Sequence, residues 1–279
     1  MFGIYWKRFI TNRMAVAGIA VLLCLVALAI LAPVISRYEP TVTNLTVRLK
    51  SPCFAHPLGT DELGRDILSR MLYGSRISLS VGLIAVLISI VIGTLFGLLA
   101  GWHGGWVDSV IMRLVDIVLC FPSFFLILMV IAFVGPNITN IMIVIGATSW
   151  SGLARLVRGE ILSIREREFI SATRLLGLSN WRIMLVHILP NVMSPILISA
   201  TLGVGAAILT ESGLSFLGLG VQPPTASWGN MITSGKDYIT FAWWLTAFPG
   251  LAILTAVLAF NMLGEGLREV FNPRSLKQK

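Results

Sequence analysis

Charge is scarce in this sequence. Only 12% of its 279 residues are Asp, Glu, Lys or Arg, against about 25% in an ordinary soluble domain. Too few charges remain to cover a water-facing surface, which excludes a soluble globular fold. Cysteine is scarce as well: Cys24 and Cys120 stand inside apolar runs and Cys53 is alone in a polar segment, which excludes a disulfide framework and reads as free thiols. The three histidines, His56, His103 and His187, are far apart at no ligand-like spacing, so no metal site is assigned. Catalytic patterns are missing too. No Ser/His/Asp, Cys/His or HExxH arrangement has a sensible placement. The stretch from Gly229 to Asp237 resembles a phosphate loop, but it has one residue too many between its glycines and Asp where Ser or Thr would hold Mg²⁺. Gly218-Leu-Gly220 is followed by Pro223 with no strand before it. The chain is expected to do no covalent chemistry and to carry no cofactor.

What is abundant is hydrophobic residue: 56% of the chain, at a mean hydropathy of +0.87. That defines an all-α polytopic membrane protein. At roughly 20 apolar residues per span there is room for about six. The net charge of +8 is no nucleic-acid signal here, because Lys and Arg collect on the cytoplasmic side of a membrane protein and report its topology.

Taken in order, residues 1–13 form a cytoplasmic N-terminus with Lys7, Arg8 and Arg13, and 14–36 an uncleaved first span. Residues 37–76 form an external loop of mixed charge. In it, Thr60-Asp61-Glu62 before Leu63, Ile67, Leu68, Met71 and Leu72 predicts a short helix on the outer membrane surface. Residues 77–267 form a core unit of five spans. The second span, 77–101, carries the ridge Gly93-x-x-x-Gly97-x-x-x-Gly101, which admits a close neighbour either inside the subunit or in a partner subunit. The third, about 109–134, is kinked at Pro122, with Arg113 and Asp116 pairing with each other or with Asp108. The fourth, about 139–156, ends at Arg155 and Arg158. The fifth, about 190–210, has Pro195 in its first turns. Glu211 closes that span as a candidate pathway or gate residue, or as a satisfied carboxylate of the outer loop. Residues 212–238, rich in Gly, Pro and Trp, read as a re-entrant or interfacial element. The sixth span, about 241–263, contains Pro249. The tail 268–279 returns to the cytoplasm with Arg268, Arg274, Lys277 and Lys279.

Between the fourth and fifth spans lies the loop 157–190. With the preceding turn it holds six arginines, Arg155, Arg158, Arg165, Arg167, Arg174 and Arg182, interleaved with Glu160, Glu166 and Glu168. Leu175, Leu176 and Leu178 flank Gly177. Two short helices separated at Gly177 would present an apolar knob of these leucines, ringed by Arg174 and Arg182. Placing this loop inside closes the topology. Lys7, Arg8, Arg13, Arg113, the six loop arginines and the four C-terminal cations then lie inside, fourteen of the 21 basic residues. A shift by one span would send the loop outside, against the positive-inside rule.

The loop resembles the cytoplasmic signature of ABC importer permeases. Ser171-Ala172-Thr173 stands where that signature has Glu-Ala-Ala, Gly177 matches its Gly, and His187-Ile188-Leu189-Pro190 closes it. Ser171 departs from Glu and His187 from Ile; Glu168, one turn earlier, is the candidate substitute carboxylate. The stretches 56–82, 215–232 and 248–273 resemble the second, C-type permease of the dipeptide/oligopeptide/nickel ABC importers, so the similarity runs from about 5 to 275. The resemblance implies a type I importer permease fold with both termini cytoplasmic, in a bacterial inner membrane. It also implies a heterodimer with a homologous second permease, two cytoplasmic ATPase subunits that carry ATP and Mg²⁺, and an external solute-binding protein. The loop around Gly177 would then be the coupling helix. The implied cargo is di- or oligopeptides, with nickel or a metal chelate as the alternative. A stand-alone channel or secondary transporter is the more distant reading; few ionisable residues in the spans and no visible inverted repeat speak against it. A membrane-embedded enzyme lacks a catalytic set.

Overall fold

A computed structural model describes residues 2–271, with side chains from residue 7 onward. Arg274, Lys277 and Lys279, expected in the cytoplasmic tail, lie outside the described residues. The architecture is helical: α1 (Phe2–Thr11), α2 (Arg13–Ile30), α3 (Ala32–Ile35), α4 (Ile67–His103), α5 (Gly105–Cys120), α6 (Ser123–Val134), α7 (Ile138–Arg165), α8 (Glu168–Leu175), α9 (Asn180–Arg182), α10 (Leu189–Phe216), α11 (Trp228–Gly235) and α12 (Trp244–Phe271). A π-helical stretch, Ile183–Ile188, joins α9 to α10. Helix is the expected solution, because a spanning segment must satisfy its backbone hydrogen bonds internally. Five helical stretches are long and apolar enough to cross a bilayer: α2, α4, α7, Asn180–Phe216 and α12. The pair α5–α6 makes a sixth if counted as one span, bent by 88°.

The main core runs through the middle of the bundle, around Val81, Ile131, Ile141, Ile208, Leu214 and Trp228. A second core at the arginine-rich end gathers Leu98, Val157, Ile161, Ile170, Ile183 and Ile188. A third, at the opposite end, joins Ile67, Met231, Trp244 and Leu245.

The ridge on α4 is used within the chain. A Cβ added at Gly97 would lie 2.7 Å from Val157 Cβ and 2.8 Å from the Ala154 carbonyl oxygen. Gly93 faces the Trp150 carbonyl and Leu153, and Gly101 faces Ile161. Small residues let α4 and α7 approach to backbone distance. The glycines are therefore spent on the fourth span and are not free for a partner permease.

The external segment departs from expectation. There is no separate surface helix from Thr60. Residues 60–66 form a tight loop, because Asp61 Oδ1 accepts from the backbone N–H of Leu63 (2.9 Å) and Arg65 (2.8 Å). Asp61 Oδ2 accepts from Arg65 Nε at 2.6 Å. The helix start is Asp66, whose Oδ2 accepts from Ser69 N at 2.8 Å, an N-cap well beyond the predicted start at Thr60. From Ile67 the helix runs without a break to His103, so the predicted surface helix is the first turns of the second span. Burial, and then the adjacent Asp61 carboxylate, raise the Glu62 carboxyl above its usual range.

Other boundaries move as well. The kink at Pro122 is a break between two helices, because Phe121 and Pro122 both take extended backbone. The fourth span's helix continues to Arg165. The fifth begins at Asn180, not near Pro190: the wide π turns ahead of Pro190 accommodate a residue that lacks an N–H and crowds the carbonyl four positions earlier. The region 212–238 is only partly irregular. Helix α10 reaches Phe216, and α11 opens with a capping box between Ser227 and Asn230.

A Gly97→Leu substitution is expected to cost about 1–3 kcal/mol through overpacking against α7. A lowered thermal midpoint of the detergent-solubilised protein would check this, with Gly159→Leu as the unaffected control, since nothing lies within 4 Å of Gly159.

Candidate functional site

The loop after α7 is built around Gly177. Its φ of +72° is a left-handed conformation that glycine adopts without penalty. The Gly177 N–H donates to the Arg174 carbonyl at 3.0 Å and the Leu178 N–H to the Thr173 carbonyl at 3.3 Å. That is a Schellman ending for α8, and such endings turn the next apolar side chain back onto the helix. Leu178 accordingly packs against the inner core of Ile164, Ile170 and Ile183. Leu178, expected in the exposed knob, is turned inward by the geometry of the cap, as an anchor. Leu175 and Leu176 form the knob, 90% and 79% exposed.

The rest of α8 is two-sided. Ile170 and Thr173 are buried, while Glu168, Ser171 and Ala172 are exposed. Glu168 opens the helix, where a carboxylate suits the positive end of the dipole; Ser171 stands one turn later. Arg174 does not ring the knob: its guanidinium lies over the Trp102 ring at 4.6 Å, a cation–π contact that ties α8 to the end of α4. Arg182 is exposed. Beside it, Trp181 is 58% exposed, a residue that the motif-based expectation does not include and whose only signal in the sequence is a large aromatic among the loop's charges. Instead of a second short helix after Gly177, α9 and the π turns lead straight through Pro190, itself exposed, into α10.

Three arginines bind α7 to the corner between α4 and α5. Arg158 makes a bidentate pair with Asp108, Nε to Oδ1 and Nη2 to Oδ2, both 2.5 Å. Arg155 Nη2 donates to Asp116 Oδ1 at 2.6 Å. Arg165 Nη1 donates to the Gly101 carbonyl at 3.2 Å. The expected pairing of Asp116 with Arg113 is replaced by one across helices; Arg113 is exposed and has no carboxylate partner among the described residues. The Arg155 pair is half exposed and worth little. The Arg158 fork, with side chains 30% and 18% exposed, has the bidentate geometry that makes a carboxylate pair count.

Between α4, α6, α7 and α10 lies a cavity of about 340 Å³. Ser89, Ser123, Ser149, Ser199 and Thr210 contribute hydroxyls, and Gly152 and Gly203 keep it open; no charged side chain lines it. Glu211 does not face it. It is fully buried, inside α10 and not in the outer loop where the sequence reading would also allow it. Its Oε1 accepts from Ser215 Oγ at 2.7 Å and Ser227 Oγ at 2.9 Å. Since Ser227 caps α11, Glu211 ties the fifth span to the element that follows it.

A bundle of five or six apolar helices that holds an uncharged cavity and carries an exposed apolar knob defines a polytopic membrane protein of the permease type. The family described as binding-protein-dependent transport system inner membrane component matches residues 93–277, and the N-terminal TM domain of oligopeptide transport permease C matches residues 1–52. The chain belongs to the binding-protein-dependent transport system inner membrane component family. It is 42% identical over 269 residues to the dipeptide transport system permease protein DppC of Alkalihalophilus pseudofirmus, covering 96% of this chain and 88% of that protein. It is 44% identical over 280 residues to DppC of Escherichia coli K12, covering 98% and 93%. The fold matches a chain of the MetNI methionine ABC transporter, solved in inward-facing conformations, with a TM-score of 0.57 at 18% identity, over 72% of this chain and 96% of that one. This is the type I importer permease fold, in a multi-pass bacterial membrane protein. Its relatives are permease subunits of ABC transporters, and that role implies ATPase and further permease partners.

Asp108→Arg alone is expected to lower the thermal midpoint by setting like charges against each other at Arg158. Combining it with Arg158→Asp should recover most of the loss, of about 1 kcal/mol or more. Melting curves of the two single variants and the double variant check the pair.

Proposed function

We propose that this chain forms half of the translocation pathway of an ATP-driven importer of di- or oligopeptides. Peptides would be delivered by an external solute-binding protein. The other half would be a homologous second permease, and two cytoplasmic ATPase subunits would bind ATP and Mg²⁺. The observation that carries this reading is the exposed Leu175–Leu176 knob. A pair of neighbouring leucines held out at the tip of a capped helix suits a groove on another protein, and an isolated channel has no use for it. The knob's helix is joined to α7 through the inner core and to the end of α4 through the Arg174–Trp102 contact. An ATPase dimer that opens and closes could therefore move α7 and α10 together. Glu168, exposed at the start of α8, would supply the carboxylate that Ser171 lacks. Residues 77–267, with the loop 157–190, would be the working unit, and 1–13 and 268–279 its cytoplasmic ends.

Peptides are favoured as cargo by the names of the relatives and by the cavity. Hydroxyl and small side chains can accept the shared backbone of many peptides without selecting their side chains. Nothing observed favours the nickel or metal-chelate alternative.

A tag on the C-terminus and gentle extraction from native membranes test the assembly. Co-purification of a second six-span subunit and ATPases is expected, and recovery of the chain alone would count against the proposal. Gly177→Asp tests the coupling role. A side chain at this position meets no atom within 4 Å but is strained at φ +72°; because that strain stays in an exposed turn, insertion and expression should be normal, while the strained turn and the added charge at the knob are expected to lower peptide uptake at least about tenfold. Full uptake would overturn the role of the loop.

A further inference from the structure

A second cavity lies on a different face of α4, at its external end. Its volume is about 710 Å³, and its wall includes Glu39, Tyr73, Arg76, Ile77, Ser80 and Pro224. Glu39 and Arg76 carry opposite charges in one cavity, yet neither is in an ion pair among the described residues. Both are exposed. Glu39 Oε1 accepts only a long 3.3 Å bond from Thr41, and the Arg76 guanidinium stands 6.0 Å from the centre of the Tyr73 ring. Each group keeps nearly all its hydrogen-bonding capacity for something else.

The height of the cavity narrows the choice. From Arg76 to His103 at the cytoplasmic end of α4 the helix rises about 40 Å, the thickness of a bilayer including its headgroup layers. Arg76 and Tyr73 therefore stand at the level of the outer headgroups, where tyrosine and arginine are at home.

The helix face below the cavity narrows it further. At 100° per residue, Tyr73, Arg76, Ile77 and Ser80 share a face with Leu83, Ile84, Leu87, Val91 and Leu95. These five are exposed, between 41% and 60%, and all are aliphatic. Helix–helix contacts within a membrane use small residues or polar glue. Its exposed positions from Leu83 to Leu95 are neither small nor polar, Thr94 being the one polar residue on this face and its hydroxyl lying below the surface; the glycine ridge of α4 is already spent on α7.

We propose that this cavity binds one phospholipid of the outer leaflet whose headgroup carries a phosphate diester and a primary ammonium. Arg76 donates to the phosphate oxygens. Glu39 accepts from the ammonium. The acyl chains lie along the stripe from Leu83 to Leu95. Opposite, unpaired charges in one cavity match a zwitterionic headgroup, whereas an anionic lipid would leave Glu39 facing a phosphate without its counter-charge. The inference does not depend on the cargo of the transporter.

The test uses the protein with its co-purifying partners, transferred to nanodiscs of equal parts phosphatidylethanolamine, phosphatidylglycerol and phosphatidylcholine. Native mass spectrometry reads the retained lipid. One phosphatidylethanolamine per chain is expected. Glu39→Gln should cut its preference over phosphatidylglycerol about fivefold, and Arg76→Gln should cut retention of all three. Equal retention of the three lipids by the unaltered protein, or an unchanged preference in both variants, would overturn the proposal. Glycerophosphoethanolamine, the soluble headgroup alone, should not displace the lipid; displacement at matched concentration would show that the stripe plays no part. A photoreactive residue in place of Leu87 should label lipid, and capture of another protein subunit there would assign the face to a partner.

Discussion

Backbone-distance packing between α4 and α7 is the contact on which the rest of this molecule depends. Three glycines on α4 remove the side chains that would hold the helices apart, and α7 fills the space with Leu153, Val157 and Ile161. Dispersion between closely packed atoms is what associates helices in lipid, where the hydrophobic effect offers nothing between apolar surfaces. Once α7 is held this closely, Arg158 and Arg165 fall within reach of Asp108 and the end of α4. The lever that carries α8 is then fixed along its length to the α4–α5 corner.

The other end of the molecule is organised by buried polar groups. Asp61 and Asp66 fold the turn before α4, and Glu211 holds two serine hydroxyls at the junction of α10 and α11. Buried carboxylates are costly unless hydrogen-bonded, so each fixes one local arrangement of the chain. Trp228 adds a second tie, donating its backbone N–H to Ser78 Oγ at 3.1 Å. That end is thereby held by short-range ties at Asp61, Asp66 and Glu211 and by a long-range tie from Trp228 to Ser78.

The two cavities divide α4 by face. One side, through Ser89, lines an uncharged chamber among four helices. The other, through Arg76 and the stripe below it, looks outward. A long helix can serve both because its faces repeat every 3.6 residues and residues half a turn apart meet different surroundings.

Membrane class and five or six crossings are legible in the sequence alone, and the positive-inside rule predicts from it the sidedness and the place of the arginine-rich loop. They depend on hydropathy, charge and turn residues summed over short windows, and such local properties survive without knowledge of contacts. Gly177 as the turn of the loop is legible for the same reason, as is Leu175–Leu176 as its apolar tip. The tertiary structure decided which neighbours meet: α7 and not a partner against the glycine ridge, Arg155 and not Arg113 against Asp116, Leu178 inward, Arg174 on Trp102, Glu211 enclosed. It also decided that Asp66 and not Thr60 starts α4, because two aspartates compete for nearby N–H groups and only the packed loop settles which of them caps. These are pairings between distant positions, and their energies depend on distances that exist only once the helices have packed.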